Sequence, residues 1–343
     1  MNVRSHFFAR NLLEAIYGLV CLLTYFSGVY ALVSFFKRKN PVILVYHSVR
    51  TKDCPHVYPD NIIDTQRFEK QMLYLSTKKN LVSLLAISNY LNGAKNLPDN
   101  AVAVTFDDGY YDFYSNAYPI LQRYNVPCTV FPIITLLNGV EVKWEDYLTM
   151  MISTTQNKSL TVKSINKVFD LSSQRSRLSC IRYLNDMLML MDAQRRTKLL
   201  HEMESQLGRP MNSTESLYLS WKEAKELSGG GLVSFGSHSY CHRDLTKLSE
   251  NDLESEISTS KEELENKLNK ACVLFCYPHG KKRHFNIAIK DLLRRSGFRV
   301  AVTTIPGRIS RGSDPLELRR IIALDGQMYK FKCAMMGLTP QSS

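Results

Sequence analysis

Two kinds of apolar pattern take turns along the chain: short unbroken runs, and longer stretches whose apolar residues recur every three or four positions. Val42-Ile43-Leu44-Val45-Tyr46 and Ala101-Val102-Ala103-Val104-Thr105-Phe106 are runs of strand length. Continuous apolarity, without a polar residue at every second place, predicts strands buried on both faces. Further strands are expected at Val126 to Ile134 (interrupted by Pro127 and Pro132), Leu232 to Phe235, Val273 to Tyr277 and Phe298 to Thr303. Helical spacing appears at Phe68, Met72 and Leu75 within Asp64 to Leu75, and near Tyr118 to Tyr124. It returns at Leu253, Ile257, Leu264 and Leu268 in a charged segment from about Ser249 to Lys270, and over Ile287 to Ser296, where Gly297 stops it. Strands alternating with helices predict a parallel α/β fold.

The alternation fails between about residues 140 and 219. There Leu178, Ile181, Leu184, Leu188 and Met191, then Leu199, Leu200, Met203 and Leu207, keep helical spacing. A helical insertion is expected, its methionine-rich stripe read as core packing. No internal repeat or low-complexity tract is seen.

The amino end is a third kind of segment. Ala15 to Phe36 holds 22 residues without a formal charge, with Arg4, Arg10 and Glu14 before it and Lys37-Arg38-Lys39 after it. About 20 apolar residues suffice to cross a bilayer as a helix. Residues 1–40 are therefore expected to form a membrane anchor, spanning or lying in the interface, ahead of a catalytic domain at 41–340. Gly18, Thr24, Ser27, Gly28 and Ser34 soften the run. No small-x-small cleavage site ends it, which argues against a signal peptide. Basic residues flank both sides, so charge does not fix the orientation.

Composition adjusts this picture in two places. The eight cysteines are irregularly spaced and no Cys-x2-Cys pair occurs, which excludes a cysteine zinc ribbon. Free thiols suit a reducing compartment, so a cytoplasmic catalytic domain held at the inner membrane is expected. The net charge is +12, with clusters at Lys37-Arg38-Lys39, Lys281-Lys282-Arg283 and Arg294-Arg295. No helix-turn-helix, zinc-finger or RNA-binding signature accompanies them, so anionic lipid, and not nucleic acid, is the expected partner.

Two strings carry the chemistry. Thr105-Phe106-Asp107-Asp108-Gly109 puts paired carboxylates at a strand end, and Ser237-His238-Ser239-Tyr240-Cys241-His242 puts two imidazoles four residues apart after another strand. Asp-Asp-Gly alone reads as a turn, and a lone His-x3-His is weak. Together, each at the strand end where α/β active sites collect, they point to chemistry. One carboxylate and two histidines form a facial ligand set that leaves metal positions open. The neighbouring aspartate is then placed to accept a proton from water. The pattern reads as a metal-dependent hydrolase.

The same strings, extended through Tyr110 and through Arg243-Asp244-Leu245-Thr246, resemble the first two motifs of the polysaccharide deacetylases, the NodB-homology family of carbohydrate esterases. Phe275-Cys276-Tyr277-Pro278-His279-Gly280 is similar to a third. The resemblance runs from about Val42 to Ile322. It implies a distorted (β/α) barrel of about seven strands. It implies Asp108, His238 and His242 as ligands of one divalent metal, with Zn²⁺ the first choice and Co²⁺, Ni²⁺, Mn²⁺ or Fe²⁺ open, and Asp107 as general base. It departs at the general acid. The family's Leu-x-Leu-His is replaced by Leu316-Glu317-Leu318-Arg319-Arg320-Ile321, and no histidine follows His284. His47, in Val45-Tyr46-His47-Ser48-Val49, instead resembles the circularly permuted branch, such as poly-N-acetylglucosamine deacetylases, and is expected to protonate the leaving amine.

His279 replaces the family's tyrosine, where it can keep the backbone N–H donor to the oxyanion, with its side chain an alternative acid. Tyr277 and Pro278 are expected on the substrate side, Tyr277 as a sugar-stacking wall, with Trp144 and Arg320 as further substrate-side candidates. Arg319 or Arg320 also stands where it could replace the family arginine that orients the base. The implied activity is removal of an N-acetyl or similar N-acyl group from an amino sugar of a surface polysaccharide or its lipid-linked precursor. A non-catalytic carbohydrate-binding protein and a small-amide metallohydrolase are the alternatives.

Overall fold

The computed structural model describes residues 3–51, 56–209, 217–323 and 326–338. The chain divides into two compact units, one built mainly from Val142–Leu217 with Thr51–Ile62, the other from Glu14–Arg50, Ile63–Glu141 and Tyr218–Ser343.

The larger unit is a nearly closed barrel of seven parallel strands: β1 (Val42–Tyr46), β2 (Ala101–Asp108), β3 (Cys128–Pro132), β4 (Val233–Phe235), β5 (Leu274–Cys276), β6 (Val300–Pro306) and β7 (Leu318–Ile322). Their order is β5-β6-β7-β1-β2-β3-β4, and a parallel bridge from Ser237 to Phe275 links the two ends. Thus β1 lies between β7 and β2, in register Leu44 to Ile321 and Leu44 to Val104.

Burial on both faces explains the unbroken apolar runs. Ile43, Ala103, Leu274, Cys276, Val300, Val302 and Leu318 pack together on one side of the sheet. Leu44, Val104, Phe106, Phe275, Ala301 and Ile321 pack on the other, beneath the helices. Because side chains alternate along a strand, the parity of Ala103 carries Thr105 and Asp107 into the barrel, and that of Leu318 carries Arg320. The helix Thr65–Lys78 is capped by Asp64, which accepts from the amides of Gln66 and Arg67, and it buries Phe68, Met72 and Leu75 against the sheet. Ser249 caps Glu250–Leu268 in the same way. The third strand begins at Cys128, later than the apolar run suggests, because Pro127 has no N–H to donate.

The smaller unit packs the helices Trp144–Thr154, Gln174–Met189 and Ala193–Leu207 around Leu148, Met151, Leu184, Leu188 and Met203. It is not wholly helical. An antiparallel ribbon pairs Ser159–Val162 with Lys167–Asp170 and turns through Asn166 at φ 48°. Leu160 and Val162 are buried while Ser159 and Thr161 are exposed, a two-residue period too short to stand out from the helical pattern around it.

The amino end also departs from expectation. Helix α1 (Val3–Phe26) stops at Ser27-Gly28, and α2 (Val29–Phe36) leaves it at an 82° bend. Gly28 sits at φ 80°, a left-handed conformation open to glycine that ends a helix. Among the described residues no single helix is long and apolar enough to cross a membrane, although the bent pair passes by length and composition.

One glycine is tied to the barrel by close approach. A Cβ on Gly236 would strike the Phe131 ring and stand 2.8 Å from the Leu274 carbonyl oxygen. Gly236→Ala should therefore cost about 1–3 kcal/mol of stability through overpacking, read as a lowered denaturation midpoint with an unchanged m-value.

Candidate active site

The strand ends of β1, β2, β4 and β5 converge on one group of side chains. Asp108 Oδ1 lies 3.5 Å from His238 Nε2 and 3.9 Å from His242 Nε2. Donors each about 2.0–2.2 Å from a shared ion stand roughly 3–3.5 Å apart, so this spacing fits a metal with little movement. The Nδ1–H of His238 donates to the Cys276 carbonyl at 2.9 Å, which leaves Nε2 as the ligating atom and fixes the ring. Asp107, His238 and Cys276 also fall within ligand distance of one another. That set is the weaker one: the His238 Nε2 already faces Asp108, and both Asp107 oxygens face a guanidinium cation.

That cation is Arg320, fully buried. Its terminal nitrogens donate to Asp107 Oδ1 at 2.7 Å and Oδ2 at 2.6 Å. The other N–H groups reach the Thr303 carbonyl at 2.7 Å, Thr105 Oγ1 at 3.1 Å and Cys276 Sγ at 3.2 Å. All five guanidinium donors are thereby used. Burial alone would raise the Asp107 pKa, but the charge and hydrogen bonds of Arg320, with His238 and His47, outweigh it and hold the carboxyl below its ordinary range. Burial disfavours the His238 cation, yet Cys276, Asp108 and Asp107 carry its pKa well above the usual value. Protons and a metal therefore compete for this imidazole.

The backbone around these groups is strained. Among the described residues eight non-glycine positions have positive φ; four are asparagines, and the others are Asp108 (72°), Ser239 (63°), His242 (57°) and His279 (60°). Such conformations persist only where surrounding contacts hold them. Here Ser239 Oγ accepts from the His242 amide at 3.0 Å, and Ser237 Oγ accepts from the Ser239 amide at 3.1 Å. Glu256 accepts the amides of Tyr240 and Cys241, both at 3.0 Å. The Asp-Asp-Gly string ends in Gly109 at φ 76°, where a Cβ would sit 2.8 Å from Pro132 Cβ.

His47 follows β1, one residue past the Tyr46–Phe106 pair, which sets it level with Asp107. It is half-buried, and its charge acts on Asp107. Asp112 ties the chain just after it: it accepts from Ser48 Oγ at 2.5 Å, from the Val49 amide at 3.2 Å and from Arg50 Nε. The His279 ring lies 4.8 Å from that of His242, and its carbonyl accepts from Thr304 Oγ1 at 2.7 Å.

The sequence profile of the family described as polysaccharide deacetylase matches residues 94–173 and 191–301. The chain belongs to the polysaccharide deacetylase family. YxkH of Bacillus subtilis (strain 168), named for the same family, is 22% identical over 280 residues, which are 81% of this chain and 70% of that protein. The poly-beta-1,6-N-acetyl-D-glucosamine N-deacetylase of Escherichia coli (strain K12) is 44% identical over 52 residues, 15% of this chain and 8% of that one. The deacetylase PplD of Streptococcus pyogenes, solved with acetate, superposes with a TM-score of 0.58 at 21% identity, over 87% of this chain and 98% of the other. This deacetylase is a hydrolase of carbon–nitrogen bonds; its family is metal-dependent, and the Asp/His cluster is a possible metal site.

Three substrate-side expectations are corrected. Tyr277 is fully buried, donates its hydroxyl to the Leu316 carbonyl at 2.8 Å and stacks on Phe285, so it offers no wall to a sugar. Pro278 is buried too, its carbonyl held by the Gly280 amide at 2.7 Å. Arg320 is closed off from solvent and meets Asp107 instead. Trp144 belongs to the smaller unit, where the Arg196 guanidinium covers its ring at 4.9 Å. The residues that sequence reasoning missed are Asp112, Cys276 and Glu256. Asp112 carried a faint signal, a third aspartate soon after the Asp107-Asp108 pair.

Because the folded-state pKa of Asp107 is depressed, its contribution to stability is full above the unfolded value of about 3.9. That contribution is lost as pH falls through the folded one. Arg320→Met leaves a buried carboxylate unpaired and should cost about 3–5 kcal/mol. It should also let burial raise the Asp107 pKa above its unfolded value, so that the acid-side loss disappears and the variant instead loses stability as pH rises through the folded pKa. Asp107→Asn added to Arg320→Met should recover part of the cost. Equilibrium unfolding of the two single variants and the double variant across pH measures the coupling.

Proposed function

We propose that this deacetylase removes the N-acetyl, or a similar N-acyl, group from an amino sugar in a surface polysaccharide or its lipid-linked precursor. The observation that carries the reading is an ionised, arginine-held Asp107 beside the Asp108–His238–His242 ligand set. The E. coli relative, named for N-deacetylation of poly-N-acetylglucosamine, supports the substrate class, and the apolar amino end supports a membrane setting.

Asp108, His238 and His242 would hold the divalent ion, Zn²⁺ first among those the donor set accepts. When bound, the ion supplies Lewis acidity toward the amide carbonyl and lowers the pKa of water. Asp107 accepts the proton of the attacking water as the new C–O bond forms. Arg320 keeps that carboxylate ionised and oriented while both are shut away from solvent. As the C–N bond breaks, His47 gives a proton to the leaving nitrogen. The products are a carboxylate and a free amine. The strained peptide of His279, pinned by Thr304, presents its amide toward the developing oxyanion.

The ligand roles are tested by elemental analysis: the wild type should carry one divalent ion per chain and His238→Ala none. Full retention by His238→Ala removes the assignment.

The chemical roles are tested on N-acetylated oligosaccharides with metal loaded. Asp107→Asn should lower kcat by about 10²–10⁴-fold. His47→Ala should be impaired on the amide but much less on an aryl acetate, whose leaving phenolate needs no proton. If His279→Ala shows that substrate-dependent pattern and His47→Ala does not, the acid is His279. Absence of acetate release from every oligosaccharide and lipid-linked sugar in a panel overturns the reading.

A further inference from the structure

The bent α1–α2 pair has one covered side and one bare side. On the covered side Tyr17, Cys21 and Val33 pack on Cys333 and Met336 of the barrel unit. Tyr17 donates its hydroxyl to the Leu338 carbonyl at 2.9 Å, and Lys37 Nζ donates to the Met336 carbonyl at 3.1 Å. Arg308 secures the end of α2 by donating to the Lys37 carbonyl at 2.9 Å and the Met335 carbonyl at 2.7 Å. On the bare side Leu23 (61%), Phe26 (74%), Leu32 (59%) and Phe36 (74%) stand in the open. Several large apolar side chains this exposed on two successive helices mark an interaction surface.

Beside α2 lies a recess of about 660 Å³. Arg38, Lys78, Lys79 and Lys332 line it against a single carboxylate, Asp99, which is itself paired with Arg38 at 2.9 Å. Lys332 Nζ lies 4.9 Å from the centres of the Tyr25 and Tyr74 rings and donates to the Tyr25 hydroxyl at 3.0 Å. Lys79 Nζ approaches the Tyr74 ring at 5.9 Å. Burial, then the charges of Arg308 and Lys332, holds the Lys79 ammonium below its ordinary range. Among the described residues no carboxylate pairs with Lys79 or Lys332.

An interfacial helix normally carries its own cationic face, and α2 carries none. The fold supplies it from elsewhere: Lys78 and Lys79 end the helix Thr65–Lys78, and Lys332 belongs to the helix Met328–Met335. An apolar surface rimmed by lysines without carboxylate partners matches the boundary between acyl chains and anionic headgroups. The geometry points to an interfacial docking site, in which the bare side of the bent helix pair enters an anionic bilayer and the recess of Lys79, Lys332 and Tyr74 takes a lipid phosphate. This deepens the membrane part of the reading above and is independent of the deacetylation chemistry.

Flotation of the full chain with vesicles tests it, because binding is read without turnover. Phosphatidylcholine vesicles containing phosphatidylglycerol should carry the protein up, and plain phosphatidylcholine should bind far less. Binding should weaken as salt is raised. Lys79→Gln/Lys332→Gln should lower affinity for the anionic vesicles about 25-fold, from about fivefold per cation. Leu32→Ser/Phe36→Ser should weaken binding to both vesicle types, and Lys198→Gln, on the other unit, neither. Unfolding midpoints and metal content of each variant show that it is folded. Equal binding to neutral and anionic vesicles, unchanged in Lys79→Gln/Lys332→Gln, overturns the phosphate recess. A concentration-dependent dimer that Leu32→Ser/Phe36→Ser abolishes, with no vesicle binding, makes the occupant a second copy of the chain and overturns the proposal. Retention on membranes through alkaline carbonate and high salt means that the segment inserts, and overturns interfacial docking.

Discussion

A carboxylate and a guanidinium share the interior of the barrel, and the site depends on their being paired. Asp107 is on β2 and Arg320 on β7, two strands that flank β1 without touching one another. The pair therefore reaches across the inner face of β1. Neither charge could stay in so apolar a space alone, since unpaired burial costs several kcal/mol per ion. Joined by two hydrogen bonds, with the remaining guanidinium donors on Thr303, Thr105 and Cys276, they fix the carboxylate plane. They also keep Asp107 ionised in a place where burial would otherwise protonate it. A buried ion pair is weak evidence for stability and better evidence for a demand made by chemistry.

The same logic runs through the backbone. Two of the three proposed ligands, Asp108 and His242, and His279 beside them sit at positive φ, where non-glycine residues are disfavoured by about 1–3 kcal/mol each. Serine hydroxyls and Glu256 hold the His238–His242 turn, and Thr304 holds His279. The motif's serines are thus not spacers; each accepts an amide proton that the turn would otherwise leave unsatisfied. Pairing Asp107 with Arg320 and Asp108 with the histidines needs both successive aspartates to reach the same end of the barrel interior. The left-handed turn at Asp108 provides that where strict strand alternation would send Asp108 out of the barrel.

What was legible in the chain follows from which patterns carry a period. Strands buried on both faces announce themselves as apolar runs, and six of the seven barrel strands are visible that way. The ligand set is visible because its residues cluster in two short strings. The partner of Asp107 was visible only as a choice between Arg319 and Arg320. Strand parity decides it, Leu318 and Arg320 pointing inward while Arg319 is exposed, but the following apolar Ile321 hides that parity in the sequence. Tyr277 and Pro278 misled because a motif names residue types and not their direction; Tyr277 turns into the layer of Phe285 and Leu316. Glu256 gave no sign, being one acid among many on a charged helix, and only the rotation of that helix brings it under the histidine turn.

The amino end shows the limit of reading amphipathicity from one segment. Counted alone, Ala15 to Phe36 is a charge-free stretch long enough to span. Among the residues that soften it is the glycine at the bend, Gly28, and composition does not say that this glycine is left-handed. Nor does it say that lysines from two distant helices close around the second arm. Amphipathicity is there a property of the folded surface: the apolar half is local in sequence, and the cationic half is assembled from residues some 40 to 300 positions away. A hydropathy window averages over neighbours in the chain and cannot register charge delivered from a distance. Such a segment looks too apolar to lie flat and is broken where a spanning helix would run on, and its polar side is found only when the barrel beside it is counted as part of the same surface.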